Sequence, residues 1–292
     1  MPAEAECVLR AQATLGECPL WDPARQVCWW VDITGGIVHR FDPRRGTGEA
    51  ASAGRMVGAL TLAREGRLLL ATEVGFATFD PSTQNLDPLG TSIELPPEVR
   101  FNDGKCDPAG RFWAGTMHLD ILPERGTLYC LHPDWTVEPK IEQVSISNGL
   151  AWDREQSTMY YIDTATRQVA AFDFDLETGT LSNQHVAIAV PEESGSPDGM
   201  TIDEEGKLWI AHYGGGCVAR WDPESGEQLQ VVQLPVSKVT SCTFGGPELR
   251  DLYIATARQE LSPEALEEQP LAGSLFRFRT NVRGLPATPF GG

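Results

Sequence analysis

The sequence predicts an all-β protein, a six-bladed β-propeller with four antiparallel strands per blade. Three observations predict this fold. A turn followed by an apolar strand occurs six times, a second unit with a polar turn alternates with it, and no linker interrupts the series. A repeat of roughly 40 to 50 residues that holds four short strands is typical of propeller blades. We therefore expect residues 1–292 to form one propeller domain.

The first repeated unit combines a polar turn with a strand that carries a pair of bulky residues. Its copies are residues 21–33, 62–72, 106–116, 152–164, 202–212 and 244–256. The copies are apolar, and small residues follow the bulky pair. This composition favours the strands that crowd around a propeller axis.

The second unit is a strand that ends in an Asp-Pro or Gly turn, and it predicts the outer half of each blade. Its copies are residues 37–47, 75–86, 126–137, 168–181, 217–229 and 273–284. One such sheet cannot bury both of its faces alone, so the copies must stack. The N-terminal strand, residues 6–11, is expected to close the ring by joining the last blade.

Two other folds fit this pattern less well, and one helix is predicted beside the strands. A pair of β-sandwich domains would need an interruption of the repeat, and WD40 repeats would need GH and WD dipeptides at set places. The repeat is not interrupted, and no GH dipeptide occurs to complete the WD40 pattern. The only helix predicted is residues 262–268, where a Ser cap precedes good helix formers.

Composition limits the partners of this chain. The formal net charge of -18 disfavours nucleic acid and anionic membranes, which bind cationic surfaces. No apolar run is long enough to span a bilayer, and the N-terminus does not resemble a signal peptide. The seven cysteines include no CxxC pair and are expected to be reduced thiols. We expect a cytoplasmic protein, in monomeric form.

One position in the repeat predicts a site. This position lies five residues before the residue that opens each turn, and in five of the six blades its side chain carries oxygen. The six residues are Glu17, Gly58, Asn102, Asn148, Asp198 and Ser241. A propeller brings equivalent positions together around its axis. We expect these residues to lie just before the innermost strands and to face the mouth of the central channel.

Two interpretations of these residues are open. Asn148-Gly149 and Asp198-Gly199 are strong turn dipeptides on their own. However, two carboxylates and two amides that converge on an axis are costly to bury unless they hold a cation. Oxygen donors suit Ca²⁺, Mg²⁺ or Mn²⁺, with Fe²⁺ or Zn²⁺ less favoured, and three protein ligands leave coordination positions open for water or substrate.

Other catalytic patterns are weak in this sequence. The five histidines show no metal-binding spacing, and GxSxG and nucleotide-binding loops are missing. His212 could line the channel from the end of its strand. His118 belongs to residues 117–126, a polar insertion that is a candidate lid.

Several stretches together resemble the senescence marker protein / gluconolactonase / regucalcin family. They are LGECPLWD (15–22), RFNDGKCDPAGRFWAGTM (100–117), SNGLAWD (147–153), SPDGMTIDEEGKLWIAHYGGG (196–216) and the segment 239–258. The resemblance covers nearly the whole chain. The resemblance implies a six-bladed propeller that holds one divalent metal ion on its axis and hydrolyses sugar lactones. Within the family, the chain most resembles bacterial sugar lactonases such as xylonolactonases.

The resemblance also implies roles for individual residues. The metal ligands of the family fall on Glu17, Asn148 and Asp198, three of the positions identified from the repeat. Its substrate-contacting residues fall on Arg100, Asn102 and Asp120, where the family often has Glu in place of Asp120.

These roles predict a mechanism. The metal polarises the lactone carbonyl, and Asp198 is the general base for the attacking water. The alternatives are a calcium-binding regulator without turnover, and an aryl-ester or phosphotriester hydrolase. The sugar and the native metal stay open.

Overall fold

The regular structure of the chain is almost entirely β-strand, which confirms the predicted class. The computed structural model describes residues 3–90 and 93–292. The chain begins with two short strands, β1 (Ala3–Glu4) and β2 (Glu6–Leu9). The strands that follow form six sheets, and each sheet is one blade of a propeller.

The strands of blades 1 to 3 follow one another along the chain. Blade 1 contains β3 (Gly16–Asp22), β4 (Val27–Asp32), β5 (Ile37–Asp42) and β6 (Thr47–Ser52). Blade 2 contains β7 (Val57–Leu62), β8 (Leu68–Thr72), β9 (Gly75–Asp80) and β10 (Asn85–Pro88). Blade 3 contains β11 (Val99–Cys106), β12 (Phe112–His118), β13 (Gly126–Leu131) and β14 (Val137–Val144).

Blades 4 to 6 complete the ring. Blade 4 contains β15 (Ser147–Trp152), β16 (Thr158–Asp163), β17 (Gln168–Phe174) and β18 (Leu181–Ala189). Blade 5 contains β19 (Ser196–Ile202), β20 (Leu208–Tyr213), β21 (Cys217–Trp221) and β22 (Gln228–Gln233). Blade 6 contains β23 (Val239–Gly245), β24 (Asp251–Thr256), the helix α1 (Pro263–Glu268) and β25 (Leu275–Arg279).

Each blade is antiparallel, and its first strand lies innermost. The innermost strands β3, β7, β11, β15, β19 and β23 pack against one another in a closed ring. Every residue of β3, β15 and β23 is buried, whereas β6 and β18 are mostly exposed. A strand buried on both faces has no polar side to alternate with an apolar one. The strand of the first repeated unit is the second strand of each blade, such as β4, and not the innermost strand as the sequence suggested. Every residue of β4 is buried as well, which explains why the first unit is apolar and the second is more polar.

The N-terminus closes the ring, as predicted. Strand β2 pairs antiparallel with β25 and becomes the fourth strand of blade 6, although it ends at Leu9 rather than at residue 11. Strand β1 was not predicted; it pairs in parallel with β22 of blade 5. The N-terminal segment therefore ties the outer edges of two blades together.

The predicted helix is confirmed as α1. The Ser262 hydroxyl oxygen accepts a hydrogen bond from the Ala265 backbone N–H at 3.2 Å, which is an N-cap contact. Within residues 3–90 and 93–292, no helix has the length and apolar character that a membrane crossing needs.

The Asp residue that opens the turn after an innermost strand is part of the blade scaffold. In blade 3 the Asp107 carboxylate accepts hydrogen bonds from the Trp113 indole at 2.8 Å and from the Arg111 guanidinium at 2.5 Å. In blade 5 Asp203 accepts from the Trp209 indole at 2.8 Å. The recurrence of Asp six residues before Trp in these repeats thus has a structural cause.

A C-terminal tail crosses the end of the channel where the innermost strands finish. The Leu285 N–H donates to the Ile202 carbonyl at 3.4 Å, and the Phe290 N–H donates to the Leu62 carbonyl at 2.9 Å. Under the tail lies a cavity of about 300 Å³, lined in part by Lys105. The tail therefore covers one mouth of the channel, and the candidate site lies toward the other.

Candidate metal centre

The six repeat-equivalent residues lie inside the innermost strands, not before them as the sequence suggested. Each innermost strand has a break in its pairing register at this level, which is the mark of a β-bulge. The breaks fall at Glu17–Leu20, Val57–Ala59, Phe101–Asp103, Asn148–Leu150, Pro197–Met200 and Val239–Ser241. A bulge interrupts the alternation of side chains and re-aims one of them. Six bulges at one level thus set the direction of these side chains.

The three predicted metal ligands are all buried. Glu17 is 2% exposed, Asn148 is 3% exposed and Asp198 is 7% exposed. The Asp198 Oδ1 atom has no hydrogen-bond partner among the described residues. A buried carboxylate oxygen without a partner carries a large desolvation cost, which a bound cation would offset.

Burial and mutual repulsion act on the two carboxyl groups. Burial raises the pKa of Glu17 well above its ordinary value, and the neighbouring charges of Asp198 and then Asp103 raise it further. Burial also raises the pKa of Asp198, and the negative charge of Asp103 raises it further. Both groups therefore favour the neutral form unless positive charge is brought close to them. This arrangement fits a divalent ion.

Arg100 and Asn102 form a buried hydrogen-bonded pair beside these ligands. The Arg100 Nη1 donates to the Asn102 Oδ1 at 2.7 Å and to the Phe101 carbonyl at 3.0 Å. The Asn102 Nδ2 donates to the Asn148 Oδ1 at 3.0 Å and to the Ser147 carbonyl at 2.8 Å. The structure thus links two predicted substrate-contacting residues directly to a predicted metal ligand.

The turn interpretation of the Asn-Gly and Asp-Gly dipeptides is wrong, because both lie within strands β15 and β19. The glycines are needed for close packing around the axis. A Cβ atom on Gly149 would lie 2.8 Å from the Asp198 backbone oxygen, and one on Gly199 would lie 2.1 Å from the Ser241 hydroxyl. Glycine at these places lets neighbouring innermost strands approach each other.

Asp120 and His118 lie at the rim of the site. His118 ends β12 and pairs with Val99, next to Arg100 in β11. Asp120 is exposed, and its backbone N–H donates to the His118 Nδ1 at 3.0 Å. The structure does not bring the Asp120 side chain into the buried set, so its substrate contact stays a prediction. The lid also stays a prediction; Leu119, Ile121 and Leu122 carry exposed apolar side chains.

His212 does not stand free in the channel. It is fully buried in β20, where its Nδ1 donates to the Ser194 carbonyl at 3.0 Å and its Nε2 accepts from the Trp221 indole at 3.3 Å. One ring nitrogen thus bonds to the 3-10 turn that precedes blade 5 and the other to Trp221 in the third strand of blade 5, on which the ring also stacks. The structure therefore gives His212 a scaffold contact rather than a place as a ligand.

His212 leads to a prediction about pH. Burial lowers the pKa of His212 to about 4, from an ordinary value of 6.5. A base with a lowered folded-state pKa contributes stability above its unfolded pKa, and that stability is lost as the pH falls from 6.5 toward 4. His212→Gln keeps one donor and one acceptor without the titration. Between pH 7 and pH 5, urea denaturation should show the wild type losing about 2 kcal/mol more than this variant. Equal losses would contradict the assignment.

Sequence reasoning missed the residues that hold the ligand-bearing strands in place. The Asp163 carboxylate accepts hydrogen bonds from the Ser145 and Ile146 backbone N–H groups, both at 2.9 Å, two to three residues before Asn148. Asp32 does the same in blade 1, two to three residues before Glu17. A signal was present: among the six copies of the first unit, only WWVDI and YYIDT place Asp at the end of the strand.

The donor set is not a cluster of acids and histidines. No three His, Cys, Asp or Glu side chains in the described part of the chain come together as a metal site. The candidate centre has two carboxylates, and its third member is an amide. Its donors are therefore all oxygen atoms.

Comparisons with known proteins agree with this architecture. The family model described as the SMP-30/Gluconolactonase/LRE-like region matches residues 15–258. Regucalcin of Gallus gallus is 41% identical over 293 residues, which cover 98% of each chain. YvrE of Bacillus subtilis (strain 168), whose name assigns it provisionally as a sugar lactone lactonase, is 37% identical over 289 residues, 98% of this chain and 99% of YvrE.

A solved structure is also similar over the full length. The calcium-binding protein regucalcin of Agrobacterium tumefaciens strain C58 superposes with a TM-score of 0.93 at 27% identity, over 100% of this chain and 98% of the other. The family model spans every residue of the candidate centre, and the superposition spans all six blades. The chain belongs to the SMP-30/gluconolactonase/LRE-like family.

Proposed function

We propose that this protein hydrolyses an aldonolactone, such as xylonolactone or gluconolactone, to the sugar acid with the help of one divalent metal ion. The observation that carries the proposal is the burial of Glu17, Asn148 and Asp198 at the bulges of the innermost strands, where the Asp198 Oδ1 has no hydrogen-bond partner among the described residues. The description of the matching family names gluconolactonase, and the relative YvrE carries the provisional name of a sugar lactone lactonase.

Glu17, Asn148 and Asp198 would hold the ion. Their donors are carboxylate and amide oxygens, which suit Ca²⁺, Mg²⁺ or Mn²⁺ better than Zn²⁺ or Fe²⁺. A divalent ion held there would draw electron density from the lactone carbonyl and stabilise the negative charge that develops on its oxygen.

Asp198 is the proposed general base. It takes a proton from water as the water oxygen bonds to the carbonyl carbon. The ring C–O bond then breaks, and the ring oxygen takes up a proton and becomes a hydroxyl group. Lactone and water thus give the open-chain sugar acid.

Arg100 and Asn102 are the proposed sugar-orienting residues. Burial lowers the pKa of Arg100 only to about 10, so its guanidinium stays charged at neutral pH. Its hydrogen bond to Asn102 holds both side chains in one orientation. Fixed donors of this kind lower the cost of orienting a bound sugar. Asp120 at the rim would add a contact to a sugar hydroxyl.

A second candidate function is calcium binding without turnover. Several relatives are named regucalcin, and the Agrobacterium protein is described as calcium-binding. Such a protein would need Glu17, Asn148 and Asp198 but not the Arg100–Asn102 pair. That pair therefore favours the lactonase.

Removal of metal separates the two functions. After complete chelation, hydrolysis of xylonolactone and gluconolactone, followed as acid release, should fall to the uncatalysed rate. Re-addition of Ca²⁺, Mn²⁺, Mg²⁺, Zn²⁺ or Fe²⁺, each in turn, should restore it with at least one ion. An aryl ester serves as the control substrate and should be a poorer one.

Three results would contradict the proposal. Full activity in protein shown to be metal-free would exclude the metal role. Metal binding without hydrolysis of any aldonolactone would favour the calcium-binding function. A clear preference for the aryl ester would show that the substrates are aryl esters and not sugar lactones.

A further inference from the structure

A single hydroxyl group connects one proposed metal ligand to the residue that precedes another. Thr164 follows β16 and begins a short 3-10 helix, Thr164–Thr166. Its Oγ1 accepts a hydrogen bond from the Asn148 Nδ2 at 2.8 Å and donates to the Pro197 carbonyl at 2.7 Å. Asn148 lies in blade 4, and Pro197 precedes Asp198 in blade 5. We propose that Thr164 is a positioning residue that holds Asn148 and Asp198 in the arrangement needed for metal binding.

The direction of these hydrogen bonds fixes the Asn148 amide. A carbonyl can only accept, so the one hydroxyl proton of Thr164 goes to Pro197. The Thr164 oxygen can then only accept from Asn148, which turns the amide nitrogen toward Thr164 and the amide oxygen away from it. At the other end, the Asn102 Nδ2 donates to that same amide oxygen. Both neighbours thus require the orientation in which Asn148 presents oxygen to the site.

The same hydroxyl holds the strand that carries Asp198. Pro197 lies at the bulge of β19, where the pairing with β20 is interrupted up to Met200. The interrupted ladder leaves the backbone at this point with fewer hydrogen bonds to hold it. The bond from Thr164 supplies one of them. Arg167 supplies another contact close by, because its Nη2 donates to the Gly195 carbonyl at 2.7 Å.

The contact is specific to the blade pair that carries the ligands. Asp32 in blade 1 and Asp163 in blade 4 accept hydrogen bonds in the same way from the backbone just before the innermost strand of their blade. The residue after Asp32 is the buried, apolar Ile33, whereas the residue after Asp163 is Thr164. The blade architecture therefore does not require a hydroxyl here. Its presence where two proposed ligands meet favours a role in ligand geometry.

The inference rests on the proposed metal function, and metal affinity tests it without reference to activity. Thr164→Val removes the hydroxyl at nearly constant volume, and Thr164→Ser keeps it. A matched control is Thr72→Val in blade 2, where a buried Thr donates to the Gly75 carbonyl at 2.7 Å and no proposed ligand is present. Each protein is stripped of metal and titrated calorimetrically with Ca²⁺ alone and with Mn²⁺ alone. Thermal unfolding is recorded in parallel.

We expect Thr164→Val to bind the ion about 10- to 100-fold more weakly, as for other changes just outside a metal's ligands. Thr164→Ser and Thr72→Val should bind like the wild type. Wild-type affinity in a folded Thr164→Val variant would overturn the inference and leave the proposed function standing. If the wild type bound neither of these ions, nor Mg²⁺, Zn²⁺ or Fe²⁺ in the same titration, the proposed metal function would fail and the inference with it. If Thr164→Val did not fold, the same comparison would be made between Thr164→Ala and Thr164→Ser.

Discussion

Replacement of Asp198 by Asn is expected to lower the turnover of lactone hydrolysis by about 100-fold or more, the usual range for loss of a general base. The change keeps the size of the side chain and one oxygen atom, but it removes the group that would accept the proton of water. The measurement is steady-state hydrolysis of the best aldonolactone at saturating metal. Asp173→Asn, at an exposed position of β17, the third strand of blade 4, is the control and should keep full activity.

Metal affinity must be measured on the same Asp198→Asn protein, because Asp198 is also a proposed ligand. A variant that still binds the ion at saturation but turns over slowly supports the role as base. A metal-saturated variant with wild-type turnover removes Asp198 from that role. Weak metal binding with turnover restored at high metal concentration would leave Asp198 as a ligand alone.

The largest expected loss of stability follows from Asp107→Ala. Asp107 is completely buried, and its carboxylate pairs with Arg111, whose side chain is 4% exposed. Removal of one partner leaves a buried cation and the Trp113 indole without their acceptor. Breaking a buried pair in this way costs about 3–5 kcal/mol, which urea denaturation should show.

Asp153→Ala is the matched control for this prediction. Asp153 opens the equivalent turn in blade 4, but its carboxylate binds Ser157 and the Thr158 backbone N–H instead of a buried Arg and Trp. The expected loss is about 1 kcal/mol, as for ordinary hydrogen bonds. Equal losses in the two variants would show that the Arg111 and Trp113 contacts of Asp107 add nothing to the turn.

The propeller could be predicted because its repeats carry the same physical demands in each blade. The innermost strand of each blade is buried on both faces, and its partner strands become more exposed toward the rim. Composition therefore changes in the same order six times. Symmetry also explains why Glu17, Asn148 and Asp198 could be matched: equivalent positions meet at the axis whatever their local backbone conformation.

The local geometry of the centre could not be predicted in the same way. The position of these residues before the innermost strands was wrong, because the innermost strand of each blade precedes the repeated turn and does not follow it. The β-bulges within these strands also leave no clear mark in a run of polar and small residues. The Asn-Gly and Asp-Gly dipeptides gave a false turn signal. Glycine is favoured both in tight turns and where two backbones come close, and only the structure shows that Gly149 faces the Asp198 backbone.

Contacts between different blades were also beyond sequence reasoning. The hydroxyl of Thr164 binds Asn148 of its own blade and Pro197 of the next, and nothing in the spacing of these residues announces it. The tail over the channel has no periodic pattern that would predict strands. Its position depends on hydrogen bonds to distant backbone groups such as the Leu62 carbonyl.

Closure of the ring by β2 has a consequence for the synthesis of the protein. Glu6 accepts a hydrogen bond from Arg277, and the two residues are 271 positions apart in the chain. On the ribosome, the first blades can form while β2 still lacks its partner. Contacts of such long range form late, and an unpaired strand is prone to pair with other chains in the meantime. Nascent chains halted before β25 should therefore aggregate more readily than the released protein.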